Sequence, residues 1–200
     1  NREYALCMNS GTSTLYSAFY VIGVKEGIEV LAPSLTFHAT ASPIIQCGGT
    51  PILCDCEPDT GNISVIDIEK KINKNTIGVV ITHLCGHPCE MDQIIDICRK
   101  NNLLLIEDCS HAHGSTYKGN KVGTFGDIAC FSLDSNKILA SGEGGVFVTD
   151  NKEFFEKALL VSDFGPRLKS ELKSKDLKKY YVTGLGHKHR AHPVSAIIAN

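Results

Sequence analysis

The sequence predicts an α/β fold: a three-layer αβα arrangement with a mostly parallel central sheet. Three observations predict it. Short, continuous apolar runs alternate with amphipathic stretches of helical period, the pattern of strands buried between helices on both faces of a sheet. The 200 residues are 42% hydrophobic and 21% charged with a net charge of −2, which is a globular composition. Polar and glycine-rich segments follow the strand runs, where open α/β sheets hold their ligands.

The expected elements follow in order. Gly11 permits a tight turn and Thr12 and Ser13 offer caps, so a helix opens over 13–24. Strands are expected over 29–32, 51–54, 77–82, 103–107, 128–133 and 145–149, and helices over 40–46, 65–73, 91–101 and 152–162. In the fourth helix Asp92, Ile94, Ile95 and Cys98 show helical spacing, with Arg99 and Lys100 favourably placed in the last turn. The lysine-rich segment 168–179 reads as solvated and mobile. The length fits one domain, or one plus a fragment. The chain starts at Asn1 and stops at Asn200 inside an apolar, helix-like run, so both ends read as cut from a larger protein.

Several function classes are excluded. Lys and Arg total 20 against 22 for Asp and Glu, which argues against bulk nucleic-acid or membrane-surface binding. The longest apolar runs, such as 103–106, are too short to span a bilayer, and no secretory segment opens the chain. Nine cysteines follow no framework spacing and read as reduced, mostly buried thiols of a cytoplasmic protein.

Four constellations carry candidate chemistry. Asn9 to Thr14 leads into a helix, whose free amides and dipole make an anion site or simply an ordinary cap. Glu107 and Asp108 end a buried strand and His111 follows; a strand-end Asp can bind a metal, act as a base, hold a protonated ring nitrogen or cap a turn. Lys137 sits in a polar loop before Gly142-Glu143-Gly144-Gly145 and reads as a nucleophile toward carbonyls or as a surface lysine; no Walker ending is present. His83, Cys85, His87 and Cys89 lie within seven residues, but structural zinc sites pair cysteines with a distant second pair. Turn residues and a hydrogen-bonded histidine are the expectation there, and no metal is assigned.

Together these segments resemble the DegT/DnrJ/StrS family of pyridoxal-phosphate-dependent sugar aminotransferases. The resemblance is carried by Ser10-Gly11-Thr12-Ser13, Ala32 to Phe37, Gly49-Thr50-Pro51, His83 to Pro88, Ile106 to Gly114, Lys118 to Asp127, and the stretch from Phe131 through Lys137 to Gly145. It implies a fold-type I large domain over 1–200, incomplete at both ends, with a small carboxy-terminal domain absent. It also implies a homodimer with shared active sites and pyridoxal 5'-phosphate as cofactor. By position, Lys137 matches the lysine of the internal aldimine, Asp108 the carboxylate facing the pyridine nitrogen, and His111 the residue near the phenolic oxygen. Thr12, Ser13 and Ser132 match phosphate contacts, and Phe37 the aromatic ring stacked on the cofactor.

The sequence departs from the family at two places. Lys188, within Gly186 to Arg190, stands where an asparagine usually meets the partner's phosphate, and a cation there can serve as a phosphate ligand. Asp134 and Ser135 replace the commoner aromatic and proline. The implied function is transfer of an amino group from glutamate or glutamine to a keto group of a nucleotide-linked sugar, by ping-pong half-reactions. Rivals are a keto-cyclitol aminotransferase, a sugar 3-dehydratase (in which a histidine replaces the lysine) and a non-catalytic relative.

Overall fold

The computed structural model describes residues 2–200. In chain order the elements are β1 (Tyr4–Met8), α1 (Gly11–Val21), β2 (Glu29–Pro33), a 3-10 turn (His38–Thr40), α2 (Ser42–Gln46), β3 (Thr50–Cys54), α3 (Val65–Lys71), β4 (Thr76–Thr82), a second 3-10 turn (Leu84–Gly86), α4 (Met91–Lys100) and β5 (Leu104–Asp108). A small hairpin follows, β6 (Thr116–Tyr117) and β7 (Asn120–Lys121), then β8 (Ile128–Ser132), β9 (Gly145–Thr149), α5 (Lys152–Ser162), α6 (Pro166–Glu171), α7 (Lys175–Lys178) and α8 (Pro193–Ile198).

Seven strands form one sheet in the order β1-β9-β8-β5-β4-β2-β3. The neighbours from β8 to β3 are parallel, whereas β9 runs antiparallel to both β8 and β1. β1 therefore runs with the parallel strands and delivers Met8 to the edge where β4, β5 and β8 end. Strand β1 and the hairpin are absent from the sequence expectation: β1 is defined by its pairing with β9, and the hairpin strands, two residues each, are too short to show a period.

Alternate strand residues feed two main cores, and a smaller cluster gathers around Cys109 and Ala129. Val80 and Ile106 pack with Phe19, Leu159 and Phe147 on the face covered by α1 and α5. Val79, Ile81 and Leu105 pack with Ile68, Met91 and Ile94 on the opposite face, beneath α3 and α4. The segment 168–179 corrects the expectation of a solvated stretch. Its lysines are exposed, but Leu168 and Leu172 are buried in the first core. Buried Glu156 accepts the Lys173 and Ser174 amides at 3.1 and 2.9 Å and pins the chain there.

All nine cysteines are free; five are buried, two half-buried, and Cys7 and Cys85 exposed. Burial pushes the Cys98 thiol up to about 12, so it behaves as a packing group. Among the described residues no helix is long and apolar enough to cross a membrane.

Candidate active site

The site grows from the ends of three strands. After β1, Ser10 takes an extended backbone and caps α1, its Oγ accepting the Ser13 amide at 3.1 Å. The Thr14 amide bonds to the Ser10 carbonyl at 3.3 Å. The Gly11 and Thr12 amides have no hydrogen-bond acceptor among the described residues, and both residues line the cleft. Gly11 is required by close approach: a methyl there would sit 2.7 Å from Ser132 Cβ. This contact brings the end of β8 against the start of α1.

At the end of β5 two adjacent carboxylates point to opposite faces. Asp108, 4% exposed, lines the cleft. Its Oδ1 accepts the Ser110 amide at 3.1 Å and its Oδ2 accepts the Thr40 hydroxyl at 2.8 Å. Glu107 turns the other way and is wholly buried. It accepts the Gly123, Phe125 and Gly126 amides at 2.7, 2.8 and 2.7 Å, and His83 Nε2 lies 3.1 Å away. Because His83 Nδ1 accepts the Cys89 amide at 3.1 Å, its Nε2 carries the proton and donates to Glu107. His83, Glu107 and Cys109 lie close enough to hold a metal ion. The histidine and glutamate atoms are already committed to these bonds, so the cluster is a structural knot that fixes the end of β5 and the 123–126 loop.

After β8 the chain forms a loop closed by the Ser141 amide on the Leu133 carbonyl at 2.8 Å. Within it the Lys137 amide bonds to the Asp134 carbonyl at 2.9 Å and the Asn136 amide to Asp134 Oδ1 at 2.9 Å. Lys137 is half-buried on the cleft wall and has no ion-pair partner among the described residues.

One cleft of about 630 Å³ brings together Thr12, Phe37, Asp108, His111, Ser132 and Lys137. Phe37 stands 62% exposed at its rim. His111 Nδ1 is buried without a hydrogen-bond partner among the described residues. Burial lowers the pKa of neighbouring His113, and the charges of Lys137 and His111 push it the same way. Two expected residues stand apart. Ser13 lines an adjoining pocket, with its hydroxyl already given to Asn9 Oδ1 at 2.6 Å. Lys188 is not on the cleft wall; its Nζ lies 5.9 Å from the centre of the Phe164 ring. Sequence reasoning singled out Asp108 but missed Thr40, which hides on a helical turn, and gave Glu107 no role; strand alternation could have placed Glu107 on the opposite face.

Free amides suited to an anion, a buried carboxylate, an unpaired amine and an exposed aromatic face thus meet at the carboxyl edge of a mostly parallel sheet. The fold is that of the fold-type I aminotransferases. The family model described as the DegT/DnrJ/EryC1/StrS aminotransferase family matches residues 1–200, and the chain belongs to this family. It is 39% identical over 196 residues to GDP-perosamine synthase of Escherichia coli O157:H7, covering 98% of this chain and 52% of that relative. Among solved structures, the aminotransferase from Psychrobacter cryohalolentis matches with a TM-score of 0.90 and 33% identity, over 99% of this chain and 51% of that one. S. venezuelae DesV in complex with a ketimine intermediate matches with a TM-score of 0.86 and 29% identity, again over 99% and 51%. The chain spans about half the length of the relatives it matches.

Proposed function

We propose that the protein containing this chain is a pyridoxal 5'-phosphate-dependent aminotransferase. It moves an amino group from glutamate, or glutamine, to a keto group of a nucleotide-linked sugar. The observation that carries the reading is Lys137 sharing one cleft with Asp108 and with the Gly11–Thr12 turn. The GDP-sugar name of the E. coli relative and the ketimine in DesV support the substrate class and the carbonyl–amine chemistry.

The cleft fits this cofactor by its donors. The free Gly11 and Thr12 amides at the start of α1, with the Thr12 and Ser132 hydroxyls, suit a dianionic phosphate. The unpartnered His111 Nδ1 suits the phenolic oxygen. When bound, the cofactor supplies an electron sink for the carbanion formed at the donor's α-carbon. Asp108 keeps the ring nitrogen protonated through its negative charge. Phe37 covers a ring face at small entropy cost. Ser13 braces the phosphate turn through Asn9 and Ser10. With the cofactor bound, Lys137 Nζ would hold it covalently and, once freed by the donor amine, would serve as the base that takes the proton from the donor's α-carbon.

We further read residues 1–200 as the cofactor-binding large domain of a cytoplasmic homodimer, in which Lys188 reaches the partner's phosphate. The full-length protein, loaded with cofactor and 15N-glutamate, is offered a panel of GDP- and dTDP-linked keto sugars. The expected result is 15N in an amino sugar. Label appearing only in an amino cyclitol would favour the cyclitol rival, and no transfer to any ketone would refute the reading.

A further inference from the structure

Asp108 does not stand alone in the cleft. Its Oδ2 accepts a hydrogen bond from Thr40 Oγ1 at 2.8 Å, and Thr40 is completely buried. Two further hydroxyls close a ring behind it. Thr36 Oγ1 lies 2.8 Å from Thr40 Oγ1, Thr82 Oγ1 lies 3.3 Å from it, and Thr36 and Thr82 are 2.9 Å apart.

The directions of these bonds follow from chemistry. An ionised carboxylate only accepts, so the single hydrogen of the Thr40 hydroxyl points to Oδ2. With that hydrogen committed, the Thr40 oxygen can only accept from Thr36 or Thr82. The ring is therefore polarised toward Asp108, and each donor in such a chain strengthens the next. Thr82 sits directly beside Asp108 in the β4–β5 register. Thr40 arrives from elsewhere, on the 3-10 turn whose first amide link runs from Thr40 N to the Phe37 carbonyl at 3.0 Å. One short turn thus bears both the aromatic residue at the cleft rim and the hydroxyl that holds the carboxylate.

We infer that Thr40 is a positioning residue: it fixes the orientation of the Asp108 carboxylate, so that the carboxylate stays aimed at the cofactor's ring N–H. The inference rests on Asp108 being the partner of that nitrogen. Ser110 N already holds Oδ1 at 3.1 Å, so the two donors clamp the carboxylate from both sides. Each oxygen keeps one further lone-pair direction for the ring N–H. Without the Thr40 hydroxyl, Oδ2 loses a buried donor, the carboxylate is free to turn, and its hold on the ring N–H weakens.

The test uses the full-length holoenzyme loaded with ring-15N pyridoxal phosphate. Three forms are compared: unaltered, Thr40→Val, which keeps the shape without the hydroxyl, and Thr40→Ser, which keeps the hydroxyl. In the unaltered protein the 15N signal is expected at the protonated-ring position. Thr40→Val should move it toward the neutral-ring position and slow the half-reaction with glutamate about tenfold to a hundredfold, with KM little changed. Thr40→Ser should restore both. If Thr40→Val does not fold, Thr40→Ala replaces it with the same expectation. An unshifted ring signal and a normal rate in the hydroxyl-free variant would overturn the inference while leaving the function standing. So would a serine variant that behaves like valine. A neutral ring signal in the unaltered protein would overturn both.

Discussion

The knot beneath the cleft offers the sharpest test of how the site is held. Glu107→Gln keeps the shape of the side chain but replaces one acceptor oxygen with an NH2 donor. Both oxygens face donors: Oε1 meets the Phe125 and Gly126 amides, and Oε2 meets the Gly123 amide and His83 Nε2. Whichever way the new amide sits, its NH2 confronts two N–H groups. His83 cannot adapt by changing tautomer, because its Nδ1 is needed to accept the Cys89 amide. Hydrogen bonds to a charged group contribute about 1.5–3 kcal/mol each, so losing two costs about 3–6 kcal/mol. For a domain of this size that corresponds to a fall in Tm of about 6–24 °C.

The pH dependence has a definite sign. Burial alone would raise the Glu107 pKa, but the His83 bond and the Gly126 and Gly123 amides outweigh it and leave the pKa below its ordinary value. A depressed folded-state pKa means stability that is present above the unfolded carboxylate value and lost as pH falls through the folded one. Thermal unfolding of the full-length protein followed by circular dichroism should show a wide gap between the unaltered protein and the Glu107→Gln variant at pH 7, narrowing in acid. A drop of less than about 3 °C at pH 7, or a gap that widens in acid, would refute the argument.

Three other outcomes follow from the cleft and its surroundings. Asp108→Asn should fold but slow the half-reaction with glutamate about a hundredfold, the equivalent of about two pK units at the ring nitrogen; a single-turnover rate near normal would contradict the electron-sink role. Gly11→Ala puts a methyl 2.7 Å from Ser132 Cβ. Such overpacking costs about 1–3 kcal/mol and should appear as weaker cofactor binding in a fluorescence titration, whereas an unchanged Kd would show that the α1 start does not hold the phosphate. Glu156→Ala leaves the Lys173 and Ser174 amides without their acceptors, so proteolysis should cut 168–179 faster; an unchanged rate would mean that Leu168 and Leu172 alone hold the segment.

Much of this was legible in the sequence because strong periods survive without context. Helix α5 and strand β9 fall where apolar spacing puts them, and α4 ends at Lys100, one residue before its expected boundary. The rule that chemistry gathers where parallel strands end pointed to the cleft segments around Phe37, Asp108 and Lys137, whereas the Gly11–Thr12 turn was read as a helix start and 83–89 lies off the cleft wall. Other features depend on partners far along the chain. β1 is a strand because it pairs with β9, from Tyr4 opposite Thr149 to Met8 opposite Gly145. Leu168 and Leu172 look like spacers among lysines until the first core is seen to contain them. Thr40 acquires a role only when the fold brings it to a carboxylate 68 positions away. The distinct fates of Glu107 and Asp108 lie between these cases: alternation predicts opposite faces, but not which face holds the knot.

The central claim is that Lys137 forms the covalent link to the cofactor, and the most direct measurement is chemical. The full-length protein is incubated with pyridoxal 5'-phosphate, reduced with borohydride, digested and mapped by mass spectrometry. The account predicts a pyridoxyl group on Lys137 and none in a Lys137→Ala protein. Stable labelling at another lysine, with Lys137 unmodified, would contradict it.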